Sequence, residues 1–484
     1  MKKYIIGIDE GTTSCRTVLY DVTKNEIVDI SSRAFKSYFP QSGWVEQNAT
    51  SIWQKQLETL KEIVSKVNED EIIGLGITNQ RETVVAFNKK TGKPIYNAIV
   101  WQCRITADDI EKIPQKFKDK IKQKTGLIPD AYFSASKIRW ILNNVPEAKT
   151  LLSEGNLYIG TIDAYLAYKL TGKFVTDTTN ASRTMLYNIN TMQWDNELLE
   201  YFRVPKEVLP EVVSSSEIIG NILKYDFPLA SIIGDQQSSL VGQGCINEGM
   251  AKATYGTGGF ILFNTGEKKH NIKNILTTVA YTVNGKTNYA LEGSIYSASS
   301  TVNYMQEKLG FFFNPAETEN MAKSVDSTNG VYFVPAFTGL GAPYWNSEVR
   351  GAIIGLNFDT NRNHIVRAGL ESMAYNTRAI FQNMQKGGID VNVISVDGGC
   401  SKNKFLLQFL SDMLNKKVVK NKESEATAMG AIFLAGIATK TFTLKKIKSL
   451  SAKSLTYRPR MKTGEADELY NGWNKAVNML INNK

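Results

Sequence analysis

The stretch Ile5-Ile-Gly-Ile-Asp-Glu-Gly-Thr-Thr-Ser-Cys-Arg16 decides the fold. An apolar run ends on Asp9 and Glu10, a Gly-Thr-Thr-Ser turn follows, and an apolar run resumes through Asp21. Tyr4 to Asp21 therefore reads as strand, turn, strand. About half the chain later, Ala251 to Thr265 repeats the plan, with apolar residues on both sides of Gly256-Thr257-Gly258-Gly259. Glycine belongs in such a turn where φ is positive or where another group approaches the backbone. Two matched hairpins at this separation predict two domains of similar plan, residues 1–248 and 249–484. The Gly-rich stretch Gly242 to Gly249 would be the hinge.

Strands and helices alternate between and after the hairpins. Ile72 to Thr78 and Glu82 to Phe87 are β-branched runs. Ser51 to Val67 carries Ile52, Trp53, Leu57, Leu60, Ile63, Val64 and Val67 at helical spacing. Val393 to Val396 is a strand that runs into Asp397-Gly398-Gly399, and Phe405 to Leu414 is an amphipathic helix. Leu469, Trp473, Val477 and Leu480 mark a C-terminal helix. The pattern argues for an α/β protein with a mixed, partly parallel sheet in each domain.

Composition narrows the function. At 484 residues with 42% hydrophobic and 21% charged, the chain is neither disordered nor fibrous, and each half can bury a full core. No apolar run reaches the ~18 residues of a membrane span, and Asp9 interrupts the N-terminal one, so neither a span nor a signal peptide is read. Cys15, Cys103, Cys245 and Cys400 have no CxxC spacing, which fits a reducing, cytoplasmic setting. Two histidines, His270 and His364, argue against a His-centred triad or a multi-His metal site. The net charge of +10 comes from dispersed lysines seldom interleaved with aromatics. A solvated Lys-rich surface accounts for it better than nucleic-acid binding, although it would still attract an anionic nucleotide.

Four segments share one design, an apolar strand followed by a cluster of Asp, Gly and Ser/Thr. They are Ile5–Arg16, Ser231–Leu240 (SIIGDQQSSL), Ala253–Phe260 (ATYGTGGF) and Ile394–Asn403 (ISVDGGCSKN). Loops of this kind expose backbone N–H groups and hydroxyls that cradle phosphate oxygens. An Asp at the end of the strand can hold Mg²⁺, which prefers carboxylate, water and phosphate oxygens. One such loop alone is better read as a capped tight turn; two on each side of the hinge point to a nucleotide cleft. Neither a GxxxxGK[ST] loop nor a dinucleotide-type GxGxxG is present, so the phosphate site is of another kind.

In Ile77–Val85 (ITNQRETVV), Arg81 and Glu82 lie between apolar strand residues. Together they offer a donor fork and an acceptor suited to vicinal hydroxyls. The plain alternative is a surface ion pair worth ~0–1 kcal/mol. Trp101-Gln102 and Tyr132-Phe133, taken alone, read as core packing. Asp163 reads as a helix cap.

These segments together make the chain recognisable. It resembles the glycerol kinases, a branch of the carbohydrate kinases with an actin-like, ribonuclease-H-type fold. The resemblance runs through SGWVEQN (Ser42–Asn48), GITNQRET (Gly76–Thr83), TGKPIYNAIVWQCR (Thr91–Arg104), NASRTMLYN (Asn180–Asn188), GDQQ (Gly234–Gln237), TYGTGGF (Thr254–Phe260), NTGEK (Asn264–Lys268), VPAFTGLGAPYW (Val334–Trp345) and VDGG (Val396–Gly399). NQRET, IVWQCR and FTGLGAPYW are characteristic of the glycerol branch.

The resemblance implies ATP:glycerol phosphotransfer with Mg²⁺ in a cleft between two actin-like domains. Thr12, Thr13, Ser14 and Arg16 would form the first phosphate loop, and Gly256 to Gly258 with Thr257 the second. Ser299, Asn303, Gly399 and Asn403 would line the adenosine side. Glycerol would sit on Arg81, Glu82, Trp101, Tyr132, Asp235, Gln236 and Phe260. Asp235 would be the general base and, with Asp9, would hold Mg²⁺. A homodimer or homotetramer would be expected. Glu10 stands where Gln is frequent in the family, and Ser299 and Asn303 stand where Gly and Gln usually meet the nucleotide. A pentulose or sugar-acid kinase, or a non-kinase ATPase of the same fold, are the competing readings. The first should lack the pairing of Arg81-Glu82 with Trp101. The second would not need Asp235 beside a polyol pocket.

Among the glycerol kinases it resembles, some bacterial members are inhibited by fructose 1,6-bisphosphate through a Gly-rich, Arg-bearing loop just before GDQQ. Others are activated when a phosphocarrier phosphorylates a His in a Tyr-His-Phe context in the same region. Here Gly220 to Gly234 has no internal glycine and no Arg, and Asp226 stands between Tyr225 and Phe227. An enzyme unresponsive to both signals is expected.

Overall fold

The computed structural model describes residues 3–421, 425–450 and 454–482. The first hairpin forms as read, Tyr4–Glu10 pairing antiparallel with Ser14–Asp21. Ile5, Ile6 and Ile8 are all fully buried, so this strand is covered on both faces, as a central strand must be. Glu26–Ala34 adds at one edge, mostly exposed, and Ile72–Asn79 and Pro228–Gly234 add in parallel on the other side.

The second sheet repeats this plan. Met250–Tyr255 pairs antiparallel with Gly259–Gly266, whose other neighbour is the antiparallel strand Lys286–Ile295. Val393–Asp397 and Lys417–Asn421 continue in parallel on the far side. Among the described residues the sheets meet through a single residue pair, Ser216 with Val283, which makes thirteen strands formally continuous. The expected α/β class, two mixed sheets of one plan, is the observed one.

The strand read from Glu82 starts instead at Val84, because Glu82 itself takes a left-handed φ of 62°. The helix read over Ser51 to Val67 spans Ala49–Val64. Asp163 is not the cap of its helix. Thr161 holds that position, and the fully buried Asp163 carboxylate accepts from Thr176 Oγ1 at 2.6 Å. Burial pushes that carboxyl up to about 7.

Two helices join the halves. Asp235–Gly242 starts directly after the Pro228–Gly234 strand, which puts Asp235 in its first turn. Ala426–Ala438, although in the second half of the chain, packs on the strands of the first sheet and on Asp235–Gly242. Its sequence, ATAMGAIFLAGIA, is apolar on every side, as a helix buried all round requires. The two helices touch backbone to backbone. A Cβ at Gly242 would fall on the Ala426 carbonyl, and one at Gly430 on that of Ser238. The core formed there draws Ile5, Val18 and Ile233 from one sheet, Leu262 and Ala290 from the other, and Ile432 and Leu434 from the helix. Among the described residues no helix is long and apolar enough to cross a membrane.

Candidate active site

The ends of the central strands bring the acidic and Gly-rich turns of both halves together. Asp235 is partly exposed, and its carboxylate is held from two sides. Oδ1 accepts the Gln236 backbone N–H at 2.7 Å and lies 3.3 Å from Arg81 Nε; Oδ2 accepts Gln236 Nε2 at 3.2 Å.

Arg81 is buried and forms no surface ion pair. Its Nη1 and Nη2 donate to Glu292 Oε2 and Oε1 at 2.6 and 3.1 Å, a bidentate clasp from the strand Lys286–Ile295 of the second sheet. Nη1 also reaches Gln237 Oε1 at 3.2 Å, and Nη2 lies 3.4 Å from the Tyr132 hydroxyl. Glu82 is buried beside it. Arg183 Nε donates to Glu82 Oε1 at 2.6 Å, and Arg183 Nη2 to Glu292 Oε1 at 3.0 Å. The left-handed backbone at Glu82, a strain of ~1–2 kcal/mol for a side chain of this kind, is tied by Ser134 Oγ donating to its carbonyl at 3.1 Å.

Two guanidiniums and two carboxylates thus share one buried network across both halves. Burial pushes the Glu292 carboxyl up, but Arg183 and Arg81 more than reverse this and hold it at about 2. Burial raises Glu82 above the usual carboxylate range despite the same two partners.

Three aromatic rings stand beside this network. Trp101 stands edge-on to Tyr132 at 5.5 Å and to Phe260 at 6.3 Å between centroids, and Arg81 lies 5.9 Å from the Phe260 ring. Trp101 Nε1 donates to Thr12 Oγ1 at 3.0 Å, so this aromatic cluster is bonded to the first Gly-rich turn.

On that turn Thr12 and Ser14 are half-buried and Thr13 is exposed; on the second turn Thr257 is exposed. Gly256 and Thr257 carbonyls accept from Ser299 and Ala298 N–H at 2.8 and 2.9 Å, joining the turn to the helix Ser299–Glu307. Gly398 has a φ of 84°, and a Cβ there would strike the Tyr255 backbone. Next to it, Cys400 Sγ and Ser299 Oγ are 3.0 Å apart. Asn303 is exposed on the same helix. The Asn403 side chain caps the helix Lys404–Leu414 by accepting Leu406 N–H at 3.0 Å, and its amide reaches Thr318 Oγ1 at 3.2 Å.

Asp9 is mostly buried, 3.8 Å from Arg16 Nη1, which is 3.2 Å from Glu425 Oε2. Burial raises the Asp9 carboxyl to about 7; Arg16 opposes this, and Asp235 and Glu425 add to it. Glu10 points elsewhere. It is fully buried, accepts Gln80 Nε2 at 2.9 Å, and is pushed well above the usual range by burial.

Three residues of this network, Arg183, Glu292 and Lys252, escape a reading of the sequence. Arg183 lies inside the quoted NASRTMLYN without a role. Lys252 is the single charge of its strand, and Glu292 is a lone acid after the apolar Ala290-Leu291. Asp397 ends its strand with Oδ2 accepting Ser239 Oγ at 2.9 Å and with Oδ1 buried and unpaired.

Strand-end acids and Gly-rich turns thus flank one buried guanidinium–carboxylate network between two sheets of one plan. The chain belongs to the FGGY family of carbohydrate kinases. The family's N-terminal domain matches residues 4–242 and its C-terminal domain residues 251–439. The structure is similar to that of a Plasmodium falciparum glycerol kinase with ADP, at 38% identity and a TM-score of 0.93, covering 99% of this chain and 98% of that one. A gluconate kinase and a xylulose kinase from Lactobacillus acidophilus share the fold. Each is 24% identical with a TM-score of 0.90, covering 99% of this chain and 98% of theirs.

Proposed function

We propose that this carbohydrate kinase transfers the γ-phosphate of ATP to glycerol, giving sn-glycerol 3-phosphate and ADP. The observation that carries the choice of acceptor is the charge balance of the pocket. Arg81 and Arg183 are each matched by Glu82 and Glu292. No guanidinium is left over for the carboxylate of a sugar acid, which argues against an acceptor such as gluconate. A neutral polyol would instead find a guanidinium and a carboxylate presented side by side, with Trp101, Tyr132 and Phe260 covering its carbon chain. The 38% identity to a glycerol kinase over nearly the whole chain supports the same reading.

The chemistry follows from placement. Phosphoryl transfer passes through a loose transition state, so alignment and charge neutralisation supply most of the acceleration. Asp235 orients the primary hydroxyl and takes its proton, a contribution of ~10²–10⁴-fold. The turns at Thr12–Ser14 and Gly256–Gly258 receive the phosphates, and Ser299, Asn303 and Gly399 flank the nucleoside.

The residues fit Mg²⁺. Asp9 and Asp235 are close enough to raise the Asp9 carboxyl, and a cation would relieve that repulsion. Among the described residues no three His, Cys, Asp or Glu side chains form a ligand set. Mg²⁺ is commonly held by one or two carboxylates, with water and phosphate oxygens completing its shell. When bound, it would neutralise charge on the phosphates.

The test is direct. Incubation with ATP and glycerol should release ADP in step with a primary phosphate ester. Release of ADP without a phosphorylated polyol would remove the proposal.

A further inference from the structure

We propose that Lys252 is a positioning residue for the transfer step. From the second half of the chain it fixes the Gln236 amide, and through it the Asp235 carboxylate, in the orientation that meets the acceptor hydroxyl. This rests on the phosphotransfer reading above but not on which acceptor is used.

Lys252 lies on the strand Met250–Tyr255, opposite Leu262 and Ser395 in register, and is fully buried. A lysine is almost never fully buried without partners. Here the ammonium donates to Gln236 Oε1 and to Thr254 Oγ1, the latter at 2.8 Å. Gln236 in turn donates from Nε2 to Asp235 Oδ2 at 3.2 Å.

Hydrogen-bond chemistry allows only this orientation. An ammonium can only donate and an ionised carboxylate can only accept. Gln236 lies between the two, so its carbonyl must face Lys252 and its NH₂ must face Asp235. Turning the amide over would set donor against donor and acceptor against acceptor. Lys252 thereby decides which end of Gln236 Asp235 meets. Asp235 and Gln236 stand on a helix of the first half and Lys252 on a strand of the second, so the relay is complete only when the halves sit together.

The charged groups around Lys252 are Asp397 at the end of the neighbouring strand, Asp235, Arg81 and Glu292. Burial draws the ammonium down to about 8, while Asp397 and Asp235 favour keeping its proton. The relay is therefore intact at neutral pH and is lost as the pH rises through about 8.

The experiment measures kcat and KM from pH 6 to 10 with the best acceptor of the wild-type enzyme. The variants are Lys252→Met, Lys252→Arg, Gln236→Leu and the Lys252→Met/Gln236→Leu double variant. Lys252→Met should lower kcat ~10- to 100-fold, as expected for a catalytic group displaced by about 1 Å, with a smaller change in the KM for ATP. The wild-type fall in kcat near pH 8 should vanish in Lys252→Met and move to higher pH in Lys252→Arg. In the Gln236→Leu background, Lys252→Met should have little further effect. Wild-type kcat in Lys252→Met, an unchanged alkaline limb, or fully multiplicative losses in the double variant would each overturn the proposal. A best acceptor other than glycerol would instead count against the acceptor assignment and leave this test standing.

Discussion

Arg81, on the turn after a strand of the first sheet, is clasped by both carboxylate oxygens of Glu292 on a strand of the second, at 2.6 and 3.1 Å. The buried network around Arg81 is therefore not the property of one half. The fork that would meet substrate hydroxyls is aimed by a carboxylate from across the cleft, and the same carboxylate holds Arg183, which in turn holds Glu82.

Removing that carboxylate should cost both stability and acceptor binding. Glu292→Gln leaves two buried guanidiniums short of a counter-charge, a loss of ~3–5 kcal/mol for breaking a buried pair. The KM for the acceptor should rise far more than that for ATP. Denaturant unfolding and steady-state kinetics check the two arms. Equal effects on both substrates would show that Glu292 supports only the fold.

The same residue sets an acid limb. Its carboxyl stands at about 2 in the folded protein, below the ordinary ~4.3 of the unfolded chain. A depressed carboxyl stabilises the fold above the unfolded value, and that stability is lost as pH falls toward the folded one. Between pH 5 and pH 3, wild type should therefore lose more stability than Glu292→Gln does. Parallel unfolding midpoints across that range would contradict the account.

Asp235→Asn should lower kcat by at least ~10²-fold, the minimum for loss of a general base, with the protein still folded. The amide cannot take the proton. Its NH₂ would also oppose either Gln236 Nε2, a donor to the present carboxylate, or the cationic Arg81 Nε 3.3 Å away. More than about a tenth of wild-type kcat would falsify the role, given that minimum.

On the nucleotide side, Gly398→Ala is the sharpest probe. The position has a φ of 84°, and the new methyl would press on the backbone of Tyr255, which leads into the Gly256–Gly258 turn. The KM for ATP should rise several-fold while the KM for the acceptor stays nearly unchanged. Competition with ADP gives an independent reading.

The segment Gly220–Gly234 closes a hairpin between Ser216–Asn221 and Pro228–Gly234, with Tyr225 stacked on Phe227 at 5.3 Å. With neither an Arg fork nor a phosphorylatable His there, rates with and without millimolar fructose 1,6-bisphosphate should agree, as should rates after treatment with a phosphorylated His carrier. A several-fold change in either would contradict this.

What the sequence reveals follows the range over which its signals act. The two hairpins are legible because a strand ending in Asp, Gly and hydroxyl residues is a local pattern, and the repeat half a chain later exposes the shared plan. Arg81 and Glu82 are legible as a pair because they are adjacent. Glu292 and Lys252 are not. A single charge in a strand reads as a residue facing water, and only the pairing of strands distant in sequence turns both inward onto Arg81 and Gln236. The left-handed turn at Glu82 is hidden for a similar reason. Its partners, Arg183 and Ser134, are far along the chain, and Glu82 itself reads as the first residue of the strand to Phe87. The placement of Ala426–Ala438 on the first sheet is likewise invisible, although its all-round apolarity marks it as a helix with no solvent face.

The acceptor assignment is tested most directly by kcat/KM at saturating ATP for glycerol, xylulose and gluconate on the wild-type enzyme. A pocket built to hydrogen-bond its substrate, with its guanidiniums already matched by carboxylates, should favour glycerol by ~10³-fold or more, since mispaired buried polar groups can cost ~10⁴-fold. Gluconate should be the poorest of the three. Xylulose or gluconate turned over as well as glycerol would contradict the account.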